Sequence, residues 1–179
     1  MSYQGEIKMQ IISSYGVELR KQNIPIRQTL EIYRSAVSYL IGIYVQVWEE
    51  LAEIPDAKRR FNAAEHLVHT TKKNHACFDF DIRFPKMPSY LRRSAIQHAL
   101  GTVSSYKTRL DLWEKIDGKS GKPKLVYENH AMPVFYRDVM YREGVEGKDE
   151  AYLKLYDGHD WIWFCVRLEH TDMEYLRKY

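Results

Sequence analysis

Residues Ile7 to Leu19 alternate, with Met9, Ile11, Tyr15, Val17 and Leu19 on one face and Lys8, Gln10, Ser14, Glu18 and Arg20 mostly on the other. That period of two is the mark of a half-buried strand. A lone strand leaves its backbone donors and acceptors unpaired, so it needs neighbours from elsewhere in the chain. The next strand-like residues follow Lys124, and everything between reads as helix and loop. This order predicts an α+β fold in which residues 1–22 and 123–179 build one small sheet or barrel, and residues 23–122 form a helical insertion after its first strand.

Within the insertion, Asn23, Pro25 and Arg27 make a turn, and then Leu30, Tyr33, Val37, Leu40, Ile41, Tyr44, Trp48 and Leu51 recur at spacings of three and four until Pro55. This predicts a long core-facing helix. A second helix is expected from about Ala57 to Lys73, with Phe61, Ala64, Leu67 and Val68 inward and Lys58, Arg59, Lys72 and Lys73 outward. Pro88 and Ser89 open a third that runs to about Ile116, its inward stripe being Leu91, Ala95, Ala99, Val103, Tyr106, Leu110 and Trp113. The loop Asp117-Gly118-Lys119-Ser120-Gly121-Lys122-Pro123 closes the helical half. Everything beyond it reads as strand and turn, with strands expected at Lys124–Glu128, Val134–Arg142 and Ala151–Tyr156. The run Tyr152 to Tyr156, the turn Asp157-Gly158-His159-Asp160 and the run Trp161 to Leu168 form a hairpin signal.

The chain's net charge of +3 conceals an asymmetry. From Arg83 to Lys124 ten bases face three acids, a net +7 that leaves −4 for the remainder. Such a distribution suits a phosphate-facing surface, where each neutralised phosphate releases counterions; the plainer alternative is a solvated helix face. Cys77 and Cys165 lie far apart and suggest no disulfide framework, as for reduced thiols in the cytoplasm. Met1 to Lys8 lacks an apolar signal stretch, and the apolar run Ala36 to Trp48 is broken by Ser38, Gly42 and Gln46, so no membrane span is expected.

Placed at about 100° per residue, Ser94, His98, Thr102, Ser105 and Arg109 of the third helix share one arc beside its core stripe. Hydroxyls, an imidazole and a guanidinium all donate to phosphate or 2′-hydroxyl oxygens, and Gly101 and Ser104 permit close approach. Arg92 points along the apolar stripe, where its charge requires a phosphate, an acidic side chain from another element, or a snorkelled path to the core rim. In the terminal hairpin, Trp161, Trp163 and Arg167 share a face, and Tyr152, Lys154 and Tyr156 share the matching face of the partner strand. Aligned, they make either an aromatic and basic platform for unpaired bases or plain core beneath the helices.

Catalytic chemistry is poorly supported. His66, His69, His75 and Cys77 follow no common zinc spacing and read as surface histidines at a helix end. Asp79 and Asp81 alternate in a loop beside Phe78, Phe80 and Phe84, which points to anchoring more than to magnesium. There is no glycine-rich phosphate loop and no nucleophile elbow. The sequence thus predicts a binder with no cofactor, no metal and no catalytic residue.

Several segments resemble a known family. Ile24-Pro25-Ile26-Arg27-Gln28-Thr29-Leu30 with Tyr33-Arg34-Ser35-Ala36-Val37 resembles the opening of TnpB-type transposon proteins, relatives of compact type V CRISPR effectors. Met87 to Ile96, continuing to Gly101-Thr102-Val103-Ser104-Ser105-Tyr106, is similar to their helical recognition segment, and Trp161 to Leu168 to the end of their wedge barrel. The resemblance implies an oligonucleotide-binding-like wedge barrel interrupted by a three-helix recognition insertion, gripping guide RNA and target DNA. It further implies that Arg92, Arg93, Ser105, Tyr106 and Arg109, with Lys107 beside them, contact the nucleic-acid backbone, and that Trp161, Trp163 and Arg167, with Lys154 opposite, lie nearer the RNA scaffold. No segment resembles the acidic strands of the family's RuvC nuclease or its zinc ribbon, so cleavage is not expected of this chain, which would be either a fragment of a longer protein or a truncated, cleavage-dead relative that still binds RNA, partnered by a separate nuclease portion or a second copy. Two rivals remain: a protein-interaction domain that forms a homo-oligomer from a second copy, and a small metal-dependent enzyme using His66, His69, Asp79 and Asp81.

Overall fold

A computed structural model describes residues 24–116, 121–127 and 130–178. The first helix, α1 (Ile26–Gln46), buries Thr29, Tyr33, Ala36, Val37, Leu40, Ile41 and Tyr44, the stripe its periodicity requires. The helical path bends at Val47 and resumes as α2 (Trp48–Ala52), which ends ahead of Pro55. Asp56 then caps α3 (Ala57–Val68), its carboxylate accepting from the Arg59 amide at 2.7 Å.

This helix ends at Val68, short of the expected Lys73, because a local competitor takes its terminal carbonyls. The Asn74 side-chain amide donates to the oxygens of His66 and His69 at 2.8 and 2.7 Å, while His69 turns extended. After the short α4 (Phe80–Arg83), Pro88 precedes α5 (Ser89–Lys115). Leu91, Ala95, Ile96, Ala99 and Val103 are fully buried, and α1 and α5 pack on each other as the main helical pair. Tyr106, Leu110 and Trp113, expected to continue the inward stripe, are only half-buried: the outer turns of α5 run past the edge of the core.

The sheet is antiparallel, in the order β1 (Tyr141–Glu143), β2 (Glu150–Tyr156), β3 (Trp161–Arg167). The predicted hairpin forms, with Lys154 opposite Trp163 and Tyr156 opposite Trp161. Asp157 accepts from the amides of His159 and Asp160 at 2.8 Å each, and Gly158, at φ +105°, supplies the left-handed residue the turn needs. Gly144 serves differently: a Cβ there would lie 2.4 Å from the Glu150 carbonyl oxygen, so the β1–β2 connection closes only over a bare backbone.

Among the described residues this sheet has three strands and stays open; the strand expected at Ile7–Leu19 lies outside them. Two further expectations are corrected. Residues 124–127, of the strand expected at Lys124–Glu128, and 134–136, of that expected at Val134–Arg142, form no ladder. The segment is instead strapped over α1, where Ser38 Oγ donates to the Tyr127 carbonyl at 2.7 Å and Arg34 Nε to that of Ala131 at 3.2 Å. Helix side chains thus satisfy carbonyls that a strand would offer to a neighbour. The chain also ends in a helix, α6 (His170–Lys178), where only strand and turn were expected. Its Met173 is fully buried with Ala151, Val166 and Leu168 in a small second core beside the main one.

Besides the shared cores, polar contacts join helices and sheet. The backbone amide of Tyr156 donates to Thr29 Oγ1 at 2.9 Å, and Lys86 pairs with Asp160 at 2.7 Å. Among the described residues no helix is long and apolar enough to cross a membrane.

Candidate nucleic-acid interface

The cations of α5 divide into those used inside the fold and those that face outward. Arg92 is buried, its Nη2 3.5 Å from Glu65 Oε1 of α3, which answers its need for a partner with an acidic side chain. Arg93 Nε lies 3.9 Å from the other oxygen of the same carboxylate, and its guanidinium sits 5.0 Å above the Phe61 ring. Lys107 pairs with Glu49 at 2.6 Å. Arg92 is therefore removed from the expected phosphate-contacting set: in contact with the core, its charge is spent on Glu65.

The polar arc of α5 splits in the same way. Ser94 is buried and shares the Tyr33 hydroxyl with His98, at 2.8 and 2.7 Å respectively. Burial holds the Tyr33 phenol above its ordinary pKa. Further along, Gln97, His98, Gly101, Thr102, Ser105 and Arg109 line a shallow open cleft. Arg109 donates to the Ser105 carbonyl at 3.3 Å, its charge lying at the exposed surface. Tyr106, half-buried, lies outside this cleft.

On the sheet, the expected aromatic and basic face exists but divides at its middle. Trp161 is buried, packs tilted against Tyr156 with centroids 5.4 Å apart and belongs to the main core, so the reading of Trp161 as a platform residue is corrected. Its position beside the Thr29–Tyr156 joint explains this, since that end of the hairpin lies against α1. Trp163, opposite Lys154, remains partly open. The Arg142 guanidinium lies 3.9 Å over the Trp163 ring and the Lys154 ammonium 5.8 Å from it. Arg167 is exposed on the same face, paired in register with Glu150. Arg142 was not singled out from the sequence; it is the last residue of the strand expected at Val134–Arg142, and only the pairing of β1 with β2 brings it across from Tyr152.

Among the described residues no cluster of three or more histidine, cysteine or acidic side chains is placed to hold a metal. The two aspartates of the irregular stretch serve as anchors. Asp79 receives bonds from the Tyr39 hydroxyl and from Arg83 Nε, the latter at 3.0 Å, and these hold its carboxyl below the usual range. Asp81 instead meets His69 Nδ1 at 3.0 Å and the Thr70 amide at 2.9 Å.

Residues 13–157 match the family model named Aq_aa04. The chain belongs to the Aq_aa04 family. No curated protein and no solved structure matches it. The matched Aq_aa04 region takes in every element from α1 to β2, with both the shallow cleft on α5 and the Arg142 and Lys154 positions, while Trp163, Arg167 and α6 lie beyond it.

Proposed function

We propose that this Aq_aa04 chain is a nucleic-acid-binding module without a catalytic centre, holding RNA on its sheet face and on the outer arc of α5. The observation that carries the reading is the Trp163 ring with Arg142 3.9 Å above it and Lys154 5.8 Å away. An indole beside two cations puts a stacking ring, with Arg142 now against it, next to charge that neutralises phosphate. His98, Ser105 and Arg109, on α5, supply a second set of donors, while Arg93 and Lys107 beside them are paired with Glu65 and Glu49 and Arg167 lies opposite Glu150 on the sheet. The fuller form of the proposal follows the TnpB resemblance: guide RNA and target DNA as partners in the cytoplasm, a separately supplied nuclease portion, and the segment Ile7–Leu19 closing the open sheet into a small oligonucleotide-binding-like barrel.

The test is to purify the protein without nuclease treatment and measure binding of a single-stranded RNA across a salt series, for the wild type and a Trp163→Ala, Lys154→Glu variant. The variant is expected to bind about tenfold or more weakly, since one stacked base contributes roughly 1–3 kcal/mol, and with a shallower salt slope. Equal affinity in both proteins overturns the assignment.

A second reading, assembly with another copy of the chain, has its own support: Leu112 and Ile116 at the outer end of α5 and Val126, Met132 and Val134 on the strap are all exposed. Sedimentation of the purified chain discriminates, because a stable oligomer indifferent to RNA fits this reading alone.

A further inference from the structure

Between α3 and α5 lies an open cleft of about 700 Å³, within the range of small-ligand sites. Trp48, Phe61 and Tyr90 contribute aromatic walls, and the Tyr90 ring packs tilted against Tyr136 with centroids 4.8 Å apart. Lys58, Arg60 and Arg93 line it too, and among the described residues no acidic side chain does. Arg60 turns its guanidinium partly to the Ile54 carbonyl at 2.8 Å, and Arg93, 51% exposed, shares Glu65 with Arg92. Asn62 and Gln97 add amides able to read a polar edge. Aromatic faces, three cations and two amides without a carboxylate match a ligand that is at once flat and anionic.

An independent observation concerns Gly101. It sits in the middle of α5, where glycine is the least favourable residue after proline. Nothing in the fold calls for it: a Cβ at this position meets no atom within 4 Å. Gly101 lines this cleft and also the shallow cleft of His98, Ser105 and Arg109, and so forms a saddle between them. A bare backbone that the chain's own packing does not require is suited to the close passage of something outside it.

We infer that the α3–α5 cleft is a nucleoside-phosphate site: it takes the base of one unpaired nucleotide between its aromatic walls, with the adjoining phosphate at Arg93 and the strand crossing α5 over Gly101 toward Arg109. This rests on the nucleic-acid reading above and adds a site that the sheet face does not include. The same chemistry would also be met by a free mononucleotide.

The experiment uses the full chain and the series Gly101→Ala and Gly101→Leu, with adenosine monophosphate and a short single-stranded RNA as probes and thermal unfolding as the control. Gly101→Ala is expected to raise Tm, because it improves helix propensity and its Cβ meets nothing, while RNA affinity falls in the order Gly, Ala, Leu, reaching about tenfold for Leu, the worth of one stacked base. Competition by the mononucleotide, lost in Gly101→Leu, supports the same site. Mononucleotide binding that is sensitive to Gly101, in a chain indifferent to RNA, keeps the cleft and overturns the RNA reading. RNA binding that is unchanged across the series but lost in the Trp163, Lys154 variant overturns the cleft and leaves the sheet face standing. Absence of binding to either probe overturns both.

Discussion

Arg92 and Glu65 meet at 3.5 Å with side chains that are only 10% and 17% exposed, so a charge on the longest helix is neutralised by one on α3 inside the fold. Among the described residues Arg92 Nε has no hydrogen-bond partner, so the guanidinium depends on that carboxylate. Breaking one member of such a pair strands the other charge. Glu65→Ala is therefore expected to cost about 2–4 kcal/mol in urea unfolding, near the lower part of the range for buried pairs. Replacing both by apolar residues, Glu65→Leu with Arg92→Met, should recover most of that loss. If Glu65→Ala unfolds at the wild-type midpoint, the pair has no structural role and Arg92 returns to the set of free cations.

Thr29 holds a position no hydrophobic residue can fill. It is 1% exposed, its hydroxyl donates to the Pro25 carbonyl at 3.1 Å, and its oxygen accepts from the Tyr156 amide. Thr29→Val keeps the volume and leaves that amide unpaired, at a cost of about 1–3 kcal/mol. Amide hydrogen exchange at Tyr156 should accelerate in the variant more than at β1.

Gly144→Ala tests the close approach to Glu150. With a Cβ 2.4 Å from a backbone oxygen, the β1–β2 connection must open, and a loss of about 1–3 kcal/mol is expected. A variant with unchanged stability would mean that this turn relaxes at no cost.

The N-terminal end of α6 carries a pH dependence. His170 lies 2.9 Å from Asp149 and 3.5 Å from Glu174, and its hydrogen bond to Asp149, then the two negative charges, raise its pKa above the ordinary histidine value. A raised folded-state pKa stabilises the folded form most fully below the unfolded value, and the contribution fades as pH rises through the folded one. Docking of α6 is thus expected to be firmest in mild acid and to weaken through neutrality. Asp149→Asn should lower the His170 titration midpoint followed by nuclear magnetic resonance; a midpoint that does not move would show the contact to be incidental.

Much of the helical half was legible because burial imposes a period. Tyr33, Val37, Leu40 and Tyr44 on α1 and Leu91, Ala95, Ala99 and Val103 on α5 are buried as their spacing requires. The hairpin was legible too, since Asp157-Gly158 has few alternatives to a turn. What escaped depended on contacts distant in sequence. Periodicity gives the direction of Arg92 but not the arrival of Glu65, and it continues the stripe to Trp113 although the core ends at Val103. For α6 a local signal did exist: Met173 and Leu176 stand three apart, as on one face of a helix. The partition of the aromatic face was not readable, because Trp161 and Trp163 have equivalent places in the alternation and only α1 makes one of them core.

The strap over α1 has a different kind of consequence. Its fastening uses the Tyr127 and Ala131 carbonyls, held by Ser38 and Arg34, while Val126 and Val134 point outward at 58% and 49% exposure. Every residue type, proline included, carries a carbonyl. Such a segment is free to drift in side-chain identity over evolution while the number of residues between its fastenings stays fixed, so in relatives of this chain spacing should persist where spelling does not.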